Sequence, residues 1–187
     1  MELIKTDFEG LLAIKPRIFE DSRGYFYESY NQQIYKEAGI RFNFVQDNQS
    51  ESLKNVIRGL HYQLAPHAQT KLVRVLQGTI YDVVVDLRMG SPTFGKWYGI
   101  ELSGKNKIQL LVPQGFAHGF STLSDKALVM YKTDDYYCRE TERGIVFNDP
   151  ILNINWQTRS SDVVVSERDT RLSSFKEAEF NFNFGPA

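Results

Sequence analysis

Three stretches of this chain, Arg58-Gly59-Leu60-His61-Tyr62-Gln63, Lys71, and Pro113-Gln114-Gly115-Phe116-Ala117-His118-Gly119-Phe120, set an imidazole, an ammonium and a guanidinium among β-forming residues. That set suits removal of a proton beside a carbonyl in an anionic substrate, with the imidazole as acceptor and the cations holding the charge that develops. Side chains two apart along a strand share a face. His61 therefore lies with Gln63, Lys71 with Val73 and Val75, and Tyr131 with Val129 and Ala127. Lys71 and Tyr131 each end an apolar stripe that should face the interior. A lysine held there loses hydration at a cost of several kcal/mol unless an anion compensates it, and a bound enolate or phosphate would do so. The alternative is that Lys71 snorkels from the strand end into solvent.

His61, His67 and His118 are the only histidines. A zinc or iron site normally gathers three or four nitrogen, sulfur or carboxylate ligands at close spacing, so this stock argues against a rich metal centre. A histidine that abstracts protons also needs a carboxylate to fix its tautomer. Asp82, inside a valine-rich run, and Asp169, in a polar stretch that reads as an exposed turn, are rivals for that role. No glycine-rich phosphate loop and no nicotinamide fingerprint is present, so any phosphate must be held by arginines.

The elements that must position these groups read mainly as strands. Residues 71–76 and 79–88 are expected as strands joined by a turn at Gln77-Gly78. Further strands are expected over 26–30, 42–46, 56–63, 97–102, 108–112, 119–123 and 127–133. Short strands at this spacing indicate an all-β sandwich or barrel. Helix is expected over 32–38, with Asn31 as its cap and Gly39 as its stop. The pattern over 153–159 and 168–179 is weaker and allows a short helix near the C-terminus, while residues 180–184 alternate like a strand that packs on a partner or frays.

A chain of 187 residues that is 42% hydrophobic implies a single domain spanning 1–187 with a sizeable core. With 22 basic and 23 acidic residues, no overall field recruits nucleic acid or an anionic membrane. One cysteine, Cys138, forms no internal disulfide, no stretch resembles a signal peptide, and no apolar run suggests a membrane span. A cytoplasmic protein is expected.

The ordered series Phe19-Glu20-Asp21-Ser22-Arg23-Gly24, Phe44-Val45-Gln46-Asp47-Asn48, Arg58 to Gln63, Lys71-Leu72-Val73-Arg74-Val75, Val112 to Phe120, Tyr131-Lys132 and Gly144 to Pro150 resembles the dTDP-4-dehydrorhamnose 3,5-epimerases over nearly the whole chain. The resemblance implies a cupin-type jelly-roll, a homodimer, a dTDP-sugar substrate, no cofactor, and inversion at C3 and C5 of a 4-keto-6-deoxyglucose unit. It assigns His61 as base, Asp169 as its carboxylate partner, Lys71 as enolate stabiliser and Tyr131 as acid. It places Arg23 and Arg58 at the diphosphate, Glu28, Gln46, Asp47 and Asn48 at the thymidine, and Tyr137 in a stack on thymine. His118, Glu142 and Arg168 coincide with further substrate-binding positions, with arginine at 168 where a lysine is common. Pro113-x-Gly115-x-x-His118 is similar to the second cupin motif, but His61-x-Gln63 and Lys71 stand where metal ligands would, which implies no metal. Three other readings stand beside this one: a C3-only epimerase or related isomerase, a metal-dependent cupin, and a non-catalytic carbohydrate-binding jelly-roll.

Overall fold

The computed structural model describes residues 1–185. In chain order its elements are β1 Glu2–Lys5, β2 Leu12–Lys15, β3 Phe19–Asp21, β4 Gly24–Phe26, α1 Gln32–Glu37, β5 Gln46–Leu53, β6 Val56–Gln63, β7 Lys71–Gln77, β8 Thr79–Asp86, β9 Trp97–Ser103, β10 Gln109–Val112, β11 Phe116–Thr122, β12 Lys126–Thr133, β13 Glu142–Gly144 and β14 Val164–Val165. Two antiparallel sheets face each other, one in the order β1-β2-β10-β7-β12-β5 and the other in the order β13-β6-β11-β8-β9, with β14 added in parallel to β6. This is the expected all-β sandwich with a cupin-like jelly-roll plan.

Period-two alternation decides which side chains meet. Val73 and Val75 of β7 and Ala127 and Val129 of β12 point between the sheets, where they pack with Ile80, Val84 and Phe120 of the opposite sheet. The alternate residues Leu72 and Leu111 face outward against Ile14 of β2 and the helix residue Tyr35. On the far side of the second sheet, Ile57, Val83, Val85 and Ala117 are covered by the C-terminal segment through Leu152, Trp156 and Phe182. Strands buried on both faces therefore read as continuous apolar runs. Asn31 caps α1 by accepting from the amides of Gln33 and Ile34.

Several local expectations differ from this arrangement. β7 and β8 flank Gly78 but do not pair: β7 lies between β10 and β12, and β8 lies between β11 and β9 in the opposite sheet. A turn residue is visible locally, but choice of partner is not. The strand expected over 26–30 is not formed: only Phe26 is extended, as the last residue of β4, and Tyr30 packs edge-on against Tyr35 and Phe44, with ring centroids 5.0 and 5.4 Å away. In place of the strand expected over 42–46, pairing begins at Gln46 and runs through the polar stretch to Leu53, all eight residues laddering with β12. An edge strand of this kind carries little hydrophobic signal. Residues 180–184 form no strand. Phe182 instead packs on the chain's own core, and Asn183 makes an isolated bridge to Met89. Of the weak helical patterns, 153–159 forms no helix and 168–179 yields only a 3-10 turn at Asp169–Arg171, with a separate 3-10 turn at Ser160–Asp162.

Candidate active site

A cavity of about 560 Å³ opens at one end of the sandwich, lined among others by Asn48, Arg58, His61, Lys71, His118, Tyr131, Ser166, Arg168 and Asp169. His61 comes from β6 and His118 from β11, and the two are register partners in one sheet. Lys71 and Tyr131 come from β7 and β12 of the opposite sheet, offset by two residues in register. The imidazoles thus face the ammonium and the phenol across the cavity. Gly59 makes this geometry attainable, since its φ is +127° and a Cβ there would come within 2.6 Å of the Gly119 backbone.

Both histidines are held by carboxylates. His61 Nε2 lies 2.8 Å from Asp169 Oδ1, while Asp169 Oδ2 accepts the Gly59 amide at 3.3 Å and the Asp169 amide donates to Ser166 Oγ. Burial opposes ionisation of Asp169, but the hydrogen bond and charge of His61, with the Gly59 amide and Ser166, hold its carboxyl below the usual range. His118 Nε2 lies 2.9 Å from both oxygens of Asp82. The rivalry between the two aspartates is resolved by geometry, which pairs Asp169 with His61 and Asp82 with His118. With each Nε2 engaged, Nδ1 is the nitrogen left without a partner on each ring among the described residues.

Lys71 does not escape to solvent. It is half-buried, its Nζ sits 5.9 Å from the centre of the Tyr131 ring, and burial pushes its ammonium down to about 8, with Asp82 and Glu142 opposing the shift at a distance. Burial likewise raises the Tyr131 phenol, and the charge of Arg58 counters it. Arg58 is itself fixed by Nε donating to Ser52 Oγ at 2.8 Å and by a bond to the Glu51 carbonyl at 3.0 Å. A desolvated ammonium that has no direct ionic partner among the described residues is a ready site for developing negative charge.

Other residues singled out by sequence lie around this centre or away from it. Gln46 bonds Asn48 at 2.9 Å, and Asp47 pairs with Lys132 at 2.8 Å, neither lining the cavity. Tyr137 and Glu142 also stand outside the lining, joined to each other at 2.6 Å, with Glu142 paired to Arg168. Arg23 and Glu28 are not brought to the cavity of their own chain. Arg23 pairs with Asp21 on the exposed β3–β4 hairpin, and Glu28 accepts from Asn31. Ser52 and Ser166, which hold Arg58 and the Asp169 turn, were not distinguished by sequence; hydroxyls carry no pattern until their neighbours are known.

An imidazole facing an ammonium and a phenol across a cavity in a cupin-like sandwich suits an isomerase that works by proton transfer next to a carbonyl. The family model for dTDP-4-dehydrorhamnose 3,5-epimerase matches residues 5–177, and the chain belongs to that family. It is similar to the dTDP-4-dehydrorhamnose 3,5-epimerase of Shigella flexneri, 49% identical over 181 residues, covering 96% of this chain and 99% of the relative. The solved dTDP-6-deoxy-D-glucose-3,5-epimerase of Legionella pneumophila, in complex with dTDP-4-keto-L-rhamnose, superposes with a TM-score of 0.90 at 47% identity, covering 94% and 93% of the two chains. A 3'-monoepimerase from Streptomyces bikiniensis in complex with dTDP-quinovose is less similar, with a TM-score of 0.83 at 30% identity, covering 90% of this chain and 85% of that one.

Proposed function

We propose that His61 removes the hydrogens at C5 and C3 of the substrate through its free Nδ1, with Asp169 stabilising the imidazolium that results. The protein is an epimerase that converts dTDP-4-dehydro-6-deoxy-D-glucose to dTDP-4-dehydro-L-rhamnose. Both inverted centres flank the C4 ketone, so the electron pair of each broken C–H bond moves onto O4 as an enolate. Lys71 neutralises that oxygen. Tyr131 then returns a proton to carbon from the opposite side and its phenolate recovers a proton from solvent, while the His61 imidazolium gives its proton up to solvent before the second centre reacts. The observation that carries this reading is the placement of His61 and Tyr131 on facing sheets with Lys71 beside the phenol, because inversion requires removal on one face and delivery on the other.

Arg58 and Arg168 supply guanidinium forks for the diphosphate, and His118 adds a contact inside the cavity. Asn48, with Gln46 and Asp47 behind it, takes the thymidine portion, and Tyr137 stacks on the thymine ring. Arg23 and Glu28 lie on the N-terminal arm, whose Tyr25 and Phe26 are exposed, and we propose that they reach the cavity of a second subunit in a homodimer. Sedimentation equilibrium tests this, a monomer at assay concentration being the contrary result. The chain is read as a single domain working in the cytoplasm, a compartment in which its lone cysteine, Cys138, stays a free thiol. The chemistry needs no metal or other cofactor. Among the described residues no three His, Cys, Asp or Glu side chains group as metal ligands.

Incubation with dTDP-4-keto-6-deoxyglucose in deuterated water, followed by NMR of the sugar, tests the function. Solvent deuterium should enter at both C3 and C5, with or without a chelator. Label at C3 alone would identify a monoepimerase, and loss of exchange on chelation would identify a metal-dependent enzyme.

A further inference from the structure

The Glu142 carboxylate is not among the residues that line the cavity, but its side chain is only 16% exposed and its charge is felt by His61, Lys71 and Tyr131. Its Oε2 accepts the Tyr137 hydroxyl at 2.6 Å, and the same oxygen pairs with the Arg168 guanidinium. Burial works against the charged form, but these two donors hold Glu142 ionised and below the usual carboxylate range. The backbone beneath it is fixed to the strand that carries His61: Glu142 pairs with Gln63 and Gly144 with His61, and a Cβ at Gly144 would come within 2.6 Å of the Leu60 carbonyl. Arg168 immediately precedes Asp169 at the start of the 3-10 turn that brings the aspartate to His61. Tyr137 sits on the loop after β12, with its ring exposed. One carboxylate oxygen therefore ties an exposed aromatic ring to the turn that holds the base in place.

We propose that Glu142 is a positioning residue that couples nucleobase binding at Tyr137 to the His61–Asp169 pair by holding Tyr137 and Arg168 on a single oxygen. This rests on the reading of Tyr137 as the ring that stacks on thymine. Thymine seated on the Tyr137 ring restrains its hydroxyl, the hydroxyl restrains Glu142, and Glu142 keeps Arg168 and the adjoining Asp169 turn in register with His61. Binding energy collected at the base, remote from the reacting carbons, is thereby spent on orientation at C3 and C5.

The test uses Glu142→Gln, Tyr137→Phe and the double variant, reading dTDP affinity by calorimetry and deuterium entry at C3 and C5 at saturating substrate. Tyr137→Phe keeps the stacking ring and removes only an exposed hydroxyl, so it leaves the fold intact. Glu142→Gln should lower the saturated exchange rate about tenfold while weakening dTDP only about twofold. Tyr137→Phe should slow exchange about fivefold alone and have no further effect in the Glu142→Gln background, since interacting groups are not additive. Wild-type exchange at saturation in Glu142→Gln, or losses that multiply in the double variant, would overturn the proposal. Failure of the stacking reading is distinguishable, because Tyr137→Ala would then leave dTDP affinity unchanged.

Discussion

The two histidine–aspartate pairs use identical chemistry in different surroundings. His118 and Asp82 sit on neighbouring strands, the aspartate is sealed from solvent, and the histidine side chain is only 9% exposed. His61 is 32% exposed into the cavity, and its aspartate arrives from a 3-10 turn 108 residues further along the chain. A pair built inside a sheet is rigid and behaves as part of the wall. A pair assembled from a strand and a distant turn leaves its imidazole open to a reactant and depends on whatever holds the turn. Exposure and support, more than the identity of the residues, are what distinguish His61, the proposed base, from His118.

The largest expected effect falls on the open pair. His61→Asn should reduce deuterium entry at both C3 and C5 by about a thousandfold, the scale of a lost general base, in the same NMR assay. The same substitution at His118 should cost less than about a hundredfold and should act on affinity as well. Equal losses would end the distinction between the pairs. Tyr131→Phe should slow formation of the inverted product about a hundredfold while leaving deuterium exchange measurable, because removal of the proton does not need the phenol.

Stability should show the opposite order. Asp82→Ala leaves a buried histidine without its partner and should lower unfolding free energy by about 3 kcal/mol in urea titrations. Asp169→Ala, at the cavity edge, should cost about 1 kcal/mol but about a hundredfold in turnover. A larger stability loss for Asp169 would reverse the assignment of rigid wall and supported turn.

Lys71 gives the pH dependence. Burial lowers its ammonium from 10.5 to about 8, so between these values the unfolded chain holds a proton that the folded chain has released, and this group makes stability rise with pH across that window. Below pH 8 the buried charge is a cost. Lys71→Met should therefore raise stability at pH 7 by about 2 kcal/mol and abolish turnover, and wild-type kcat/KM should fall as pH rises through about 8. A Lys71→Met variant less stable than wild type at pH 7 would contradict a desolvated ammonium. The smallest effect is expected at Ser166→Ala, which removes the acceptor of the Asp169 amide: turnover should drop about threefold with no measurable change in the urea midpoint.

Local pattern was a reliable guide wherever a side chain's neighbours on its own strand decide its environment. The stripes ending at Lys71 and Tyr131, the strand of His61 and the helix capped by Asn31 were all legible because alternation and capping are short-range. The polar edge strand Gln46–Leu53 was not, since its stability lies in a backbone ladder to β12 that composition does not register. Nor was the separation of β7 from β8 onto facing sheets, although that separation is what sets Lys71 opposite the imidazoles.

The order of residues along the chain by itself determined the all-β class, the reactive groups and, through an extended resemblance, the epimerase family. The resemblance had already named Asp169 as the partner of His61, but only tertiary structure put the two within hydrogen-bond reach, gave Asp82 to His118, and joined Glu142 to Tyr137 and Arg168. The physical reason is range. Alternation and turn preference act over a few residues, whereas hydrogen bonds between groups a hundred positions apart exist only after two sheets have packed and a late segment has closed over one of them.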